Sequence, residues 1–371
     1  VAWQVYSVRH SAFDLGLVGL VLFAPSLLLV PLSGLVADRV DRRAILAVAG
    51  VVEVAVSLAL IPLYGGHGAE TLVSDLGLLA VAGVNRAFAF PAEESLLAAV
   101  VAPEAYVRAT AATSAAGEFV RIGGPALGGL LIAAGPLAAY GTVAVIGIAG
   151  AIAVLFVPVL ARPARGEMPS LRDAFAGLRF LRERPVLGGA IALDLFAVMF
   201  GGATALLPVY ATQVFQVGAV GFGVLRASPA LGAAACAVVL ARYPIHRRAG
   251  PRLLLAVAAF GAATIVFGLS TTLWIAIPAL ALVGAADMVS VVIRDALLAL
   301  GTPDEMRGRV NAVQGVFIGA SNELGEFESG TLAAFIGAVP TVVLGGIATL
   351  AVVALWTWRN PTLRRADSLT A

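Results

Sequence analysis

The chain has 371 residues, 60% of them apolar before its 41 glycines are counted, with 12% charged and a formal net charge of +2. A soluble domain carries about twice that share of charge, so water could not be kept from the apolar surface here; a disordered chain, a nucleic-acid binder and a disulfide scaffold are excluded with it. The composition is that of a polytopic, all-α membrane protein.

A membrane span needs about 20 mostly apolar residues. The opening stretch VAWQVYSVRH reads as the end of a membrane helix, with Trp3 and Tyr6 at interfacial depth, so most of a first helix is expected upstream. Spans then follow at 14–37, 44–64, 75–101, 107–134, 138–160, 185–213, 219–243, 251–269, 272–300, 307–336 and 338–358. Strands are excluded because the runs are long and lack alternation of period two.

Arginine sets the orientation, since the chain has no lysine. Segments near 38–43, 102–108, 161–184, 242–252, 301–309 and 359–371 carry 19 of the 24 basic residues, which places them on the cytoplasmic side. The alternate segments hold only Arg9, with Glu70 and Asp75 beside them. Arg86, Arg121, Arg226 and Arg294 are left inside spans.

The longest break, 161–184, divides the chain into halves at 1–160 and 185–371. Within it Ser170 and Asp173 mark a helix start, and Leu171, Ala174, Phe175, Leu178 and Leu181 share one face. That face suits a short amphipathic helix on the inner membrane surface, or a solvated linker.

Metal and nucleophile chemistry find no foothold. One cysteine and three scattered histidines provide no paired-ligand spacing, and no cofactor motif is present. No nucleophile stands beside a base, so an intramembrane enzyme has no support.

The halves resemble each other. At an offset of 204, Tyr6 matches Tyr210, Gly19 matches Gly223, Pro25 matches Pro229 and Arg43 matches Arg247. Two repeats of six helices joined by a cytoplasmic linker form the parallel-repeat plan of many secondary transporters.

The stretch GLVADRVDRR, with Gly34, Asp38, Arg39, Arg42 and Arg43, resembles the loop signature of the major facilitator superfamily between its second and third helices. Val36 and Asp41 depart from the usual leucine and second glycine. Gly124, Pro125, Gly128 and Gly129 in the fifth helix are similar to the GPxxGG element of drug and metabolite antiporters. The stretches WQVY, TPDEMRGRV and SNELGEFESG resemble a bacterial branch of exporters, the transmembrane secretion effectors, which includes enterobactin exporters. The resemblance implies a fold of two six-helix repeats, alternating access, and a substrate held between the halves.

It also implies that the loop signature latches the cytoplasmic ends. Arg42 and Arg43 could then pair with Glu93, Glu94 or Asp295; ordinary topology charges are the other reading. Gly117, Arg121, Gly124 and Gly128 form one stripe of the fifth helix, where small residues let helices approach closely. Intramembrane charge needs a partner or a wet cavity. Glu118, Arg86 and Arg121 are expected to form one cluster in the first half, against separate structural pairs. In the second half the substrate and proton pathway is assigned to Asp287, Arg294, Asp295, Asn322, Glu323, Glu326 and Glu328, with Ser321, Gly325 and Ser329 as a small-residue seam. Arg226 is read as structural.

Ten acids fall inside spans, Glu53, Asp194 and those of these clusters among them, against four arginines. Glu323, Glu326 and Asp287 show no arginine at their own depth, which points to proton uptake during transport, or to protonated acids that simply hydrogen-bond between helices. The expectation is a monomeric, proton-coupled exporter of a drug, metabolite or siderophore, multi-pass in the inner membrane. A non-transporting scaffold or sensor on the same fold, or uptake in place of efflux, is the alternative.

Overall fold

The computed structural model describes residues 1–64, 69–101, 105–158, 171–245 and 247–366. No strand occurs among them. A short α1 (Ala2–Arg9) precedes α2 (Ala12–Arg39), α3 (Arg42–Leu63), α4 (Ala69–Val100), α5 (Tyr106–Ala134) and α6 (Pro136–Leu155). After α7 (Leu171–Glu183) come α8 (Pro185–Phe200), a brief α9 (Leu207–Val209), α10 (Gly218–Arg242), α11 (Ala249–Leu269), α12 (Leu273–Gly301), α13 (Asp304–Ile336), α14 (Ala338–Arg359) and α15 (Pro361–Arg364).

Local chemistry explains the punctuation. Pro136, Pro185 and Pro361 open α6, α8 and α15, where a missing N–H costs nothing. Gly135 and Gly337 stop their helices at φ 119° and 89°, which a side chain would resist. Among the described residues nine spans are long and apolar enough to cross a membrane. The elements α5 and α13 fall outside that count; α13 carries Glu323, Glu326 and Glu328 through its middle, and α5 has an apolar run only over Ile122–Ala134. Apolar side chains stay exposed along the helices, among them Leu28, Val238 and Phe335. Lipid covers such a surface without penalty, whereas water would not. Trp274 and Trp358, also exposed, stand near the ends of α12 and α14 at the depth of an aromatic belt.

The residues group into two compact units, Val1–His10 with Leu17–Met168, and Ser11–Gly16 with Pro169–Ala371. Corresponding helix pairs close in the same way within each. In the first unit α3 lies on α6 where a Cβ at Gly50 would stand 3.1 Å from the Gly147 carbonyl oxygen. In the second, α11 lies on α14 where a Cβ at Gly261 would stand 3.1 Å from the Gly346 carbonyl oxygen. Gly83 likewise meets the backbone of Leu22, and Gly284 that of Pro229. Small residues let dispersion act between backbones, the main source of helix adhesion in lipid.

Three readings gain detail. The span expected at 185–213 stays one apolar stretch, Pro185–Val214, but not one continuous helix: α8 gives way at Gly201-Gly202, a 3₁₀ turn covers Ala203–Leu206, and a π turn covers Tyr210–Val214. Two glycines and the missing N–H of Pro208 explain the interruption, and the buried Tyr210 hydroxyl donates to the Gly268 carbonyl at 2.9 Å. Next, the second half of α7 packs on protein, while the side chains of Leu171, Ala174 and Phe175 lie outside the described residues. Leu181 is 3% exposed in a cluster with Leu187, Val310 and Val313, and a Cβ at Gly177 would stand 2.7 Å from the Arg309 carbonyl oxygen. Finally, Asp75 is no loop residue: it lies within α4, 4% exposed.

Candidate functional site

The deepest ionic contact among the described residues joins α8 to α12. Asp194 sits in the apolar run of α8, about 14 Å along from its first residue at 1.5 Å per residue, about a third of the way along the apolar span Pro185–Val214. Its Oδ2 is ion-paired with Arg294 Nη1, the two side chains being 10% and 4% exposed. Asp295 Oδ1 is 3.8 Å from Arg294 Nε and accepts a 2.8 Å hydrogen bond from Gln314 Nε2 of α13.

Asp287, Ser290 and Arg294 follow at i, i+3 and i+7, so α12 presents them on one stripe. Helical side chains lean toward the N-terminus, which carries the Arg294 stem toward Ser290. Asp194, Asp287 and Ser290 border a cleft with room for at most about one water molecule, closed on its other sides by Ala197, Val257 and Phe260. Ser290 is 3% exposed and lies beside the Asp194 carboxylate, without a well-formed hydrogen bond of its own. One guanidinium thus serves two carboxylates, of which Asp194 is buried and Asp295, 55% exposed, has water to share its charge.

Sequence reasoning named Arg294, Asp295 and Asp287 for a pathway, and the structure brings Arg294 to Asp295 and sets Asp287 on the same stripe. It missed the role of Asp194. The partner lies on another helix, and no local spacing links the two.

Along α13, Ser321 and Ser329 are 2% and 3% exposed, and a Cβ at Gly325 would stand 2.7 Å from the Met199 carbonyl oxygen. The small-residue seam is therefore the contact of α13 with α8. Asn322 is exposed and donates to the Ile318 carbonyl at 2.9 Å. Glu323, Glu326 and Glu328 are half-buried. Arg226 of α10 bears electrostatically on Glu326. Glu323 and Asp287 also have interaction partners.

In the loop signature, the side chains of Gly34 and Asp38 lie outside the described residues, as do those of Glu94, Glu118 and Arg121. The expected cluster of Arg86 with Glu118 and Arg121 falls there too; Arg86 itself is exposed. Arg39 is exposed and Arg42 half-buried. Arg43 turns to its own loop. It is 2.8 Å from Asp41 Oδ2 and donates to the Val157 carbonyl at 3.2 Å. Asp41 also caps α3, its carboxylate accepting from the Arg43 backbone N–H at 2.9 Å. An N-cap gives physical meaning to a departure from the family pattern.

In α5, a Cβ at Gly117, Gly124 or Gly128 would meet no described atom within 4 Å. Close helix approach therefore does not account for that stripe among the described residues. Pro125 lies inside the helix and Gly129 is buried. The first unit also holds a buried polar group: Gln4 Nε2 is 3.5 Å from Asp75 Oδ1, and the Tyr140 hydroxyl donates to Gln4 Oε1.

The helical units and their charged interior define a transporter of the major facilitator fold. Solved structures support it: a bacterial homologue of the iron transporter ferroportin aligns with a TM-score of 0.71 over 98% of this chain and 92% of its own, at 16% identity. A bacterial homologue of the lysosomal transporter Spinster gives 0.71 over 97% and 92%, at 14% identity. The chain belongs to the transmembrane secretion effector family, whose profile matches residues 1–370. The enterobactin exporter EntS of Escherichia coli strain SMS-3-5 is 27% identical over 98% of this chain and 90% of its own length. That of Shigella dysenteriae serotype 1 is 28% identical, covering 93% and 82%. This is a multi-pass membrane transporter.

Proposed function

We propose that the protein exports a small molecule across the inner membrane by alternating access, driven by inward flow of protons, and that its substrate is enterobactin or another siderophore. The two units are read as the two six-helix repeats, at 1–160 and 185–371, joined through 161–184, and the working form as a monomer. The observation that carries the reading is the buried Asp194–Arg294 pair within the spans of a transmembrane secretion effector. A charge at that depth costs several kcal/mol, roughly, unless it is paired, and ionisable groups there mark ion or substrate pathways. The names of the exporters that match nearly the whole chain favour outward transport and a siderophore in this reading. The loop signature at Gly34, Asp38, Arg39, Arg42 and Arg43 is read as the cytoplasmic gate. Gly124, Pro125, Gly128 and Gly129 are read as the antiporter element. Arg86, Glu118, Arg121, Asp287, Arg294, Asp295, Asn322, Glu323, Glu326 and Glu328 are read as the pathway.

Inverted vesicles holding the protein test this directly. An imposed proton gradient, acidic inside, should raise enterobactin accumulation above that of vesicles without the protein. Glu323→Gln, Glu326→Gln and Asp287→Asn are then examined singly, with loss of driven accumulation and retained binding expected in at least one. Accumulation equal to protein-free vesicles would overturn export of this substrate, and indifference to the gradient would overturn proton coupling.

A further inference from the structure

We propose that Asp194 carries the coupling proton, with Arg294 as the guanidinium that holds its carboxylate between proton transfers. The inference rests on the reading of the chain as a proton-driven exporter, and it places the coupling group on α8, outside the acids of α13 that sequence reasoning favours.

The geometry supplies three reasons. Asp194 and Arg294 are both buried, and their contact is made inside one unit, so the pair can form and dissolve without help from elsewhere. Beside them lies a cleft for at most about one water molecule, bordered by Asp194, Asp287 and Ser290. That space is far too small for an organic substrate, so a proton is the species that can neutralise the Asp194 carboxylate in place of Arg294. The third reason is Ser290 Oγ, a hydroxyl 3% exposed at this cleft that forms no hydrogen bond meeting ordinary geometry. A hydroxyl can donate to a carboxylate or accept from a carboxylic acid, so it serves both protonation states of its neighbour.

The groups facing Asp194 decide what happens when the proton arrives. From α12 they are Arg294, Asp295 and, across the cleft, Asp287. From α11 come Val257 and Phe260. From α14, Thr349 donates to the Ala197 carbonyl at 3.2 Å. From α13, Gln314 holds Asp295, while Glu323 and Glu326 flank Gly325, which packs at the level of Met199. At the cytoplasmic end α7 brings Glu183 and Arg182, and α15 brings Arg364, all exposed. A proton entering from the outer phase binds an Asp194 carboxylate oxygen, and the ion pair dissolves. Arg294 keeps Asp295 at its Nε, 3.8 Å away, as its remaining counter-charge. Release of the proton to the cytoplasm restores the carboxylate and re-forms the pair. No covalent bond beyond O–H is made or broken.

The test uses the full chain in inverted vesicles with enterobactin as the probe, read as the ratio of gradient-driven to gradient-free accumulation. In the unaltered protein this ratio exceeds one; a ratio of one there would sink the parent reading, not this inference. The double variant D194N/R294Q removes both buried charges together, and Asp295, which loses its guanidinium, keeps water and Gln314. Its ratio should fall to one. A merely structural pair would lower both rates alike, and a ratio still at the unaltered value would overturn the proposal. Asp194→Glu guards against misfolding of the double variant: it keeps a protonatable group and should keep a ratio above one while displacing the pH profile of driven accumulation. A profile superimposable on that of the unaltered protein would also overturn the assignment.

Discussion

The Arg294 guanidinium meets the Asp194 carboxylate across the α8–α12 contact, and neither side chain is more than 10% exposed. An ion pair so placed is a specification more than a source of stability. Removing one member strands the other, at a cost of about 3–5 kcal/mol, whereas replacing both with neutral groups of like size is near neutral. Arg294→Gln alone should therefore lower the melting temperature in detergent well below that of D194N/R294Q. Equal melting temperatures for the two variants would contradict the pairing.

Glycine contacts should divide sharply by position. Gly346 approaches the Gly261 backbone and the Ile265 side chain, so Gly346→Val has nowhere to put its methyls and should cost about 1–3 kcal/mol. Gly124→Ala and Gly128→Ala, in open surroundings, should leave the stability within about 0.5 kcal/mol of the parent. Thermal unfolding followed by size-exclusion chromatography reads both.

At the loop signature, Asp41→Ala removes the cap of α3 and the partner of Arg43. The expected loss is about 1 kcal/mol, seen as faster hydrogen exchange in the first turn of α3. Asp38→Asn is expected to act differently, reducing transport while expression and insertion hold. Normal transport in that variant would return Asp38 to a topology charge.

Tyr140→Phe deletes the hydroxyl that donates to Gln4, leaving a buried amide oxygen without that donor. The penalty for a stranded polar group is about 1–3 kcal/mol. The melting temperature should fall, and the added change Gln4→Leu should recover part of the loss. A larger loss in the double variant would show that Gln4 serves Asp75 more than Tyr140.

The docking of α7 can be tested in the same manner. Leu181→Asp places a charge in the cluster of Leu187, Val310 and Val313, and the amides of α7 should then exchange at close to unprotected rates. Exchange as slow as in the parent would mean that other contacts suffice.

Much of this architecture was legible in the residues themselves. Apolar run length located the long helices, because lipid demands it of every span. The repeat showed in Tyr6 and Tyr210 and in Pro25 and Pro229, residue types scarce enough here to register against an alanine- and leucine-rich background. What could not be read was pairing between helices. Asp194 and Arg294 meet through the fold alone, and Arg226 was set aside as structural although Glu326 lies within its electrostatic reach. The break after Phe200 was hidden for another reason: hydropathy continues through Gly201-Gly202 and cannot register a change of backbone geometry. Periodicity exposed the apolar face of α7, but a face does not say whether lipid or protein will cover it. The assigned pathway residues Glu118 and Arg121 stay as the residue pattern left them.

The matched approaches of Gly50 to Gly147 and of Gly261 to Gly346 also bear on ancestry. Two halves copied from one forebear would be free to drift wherever lipid or water fills the space around a side chain, and they have drifted until little but Pro, Tyr and Arg landmarks register by eye. Drift is arrested where one backbone touches another, since any added carbon must displace a carbonyl. Each half has therefore kept a glycine contact between the same two helices without keeping it at the same residue, since neither Gly261 nor Gly346 stands at the offset of 204 from Gly50 or Gly147.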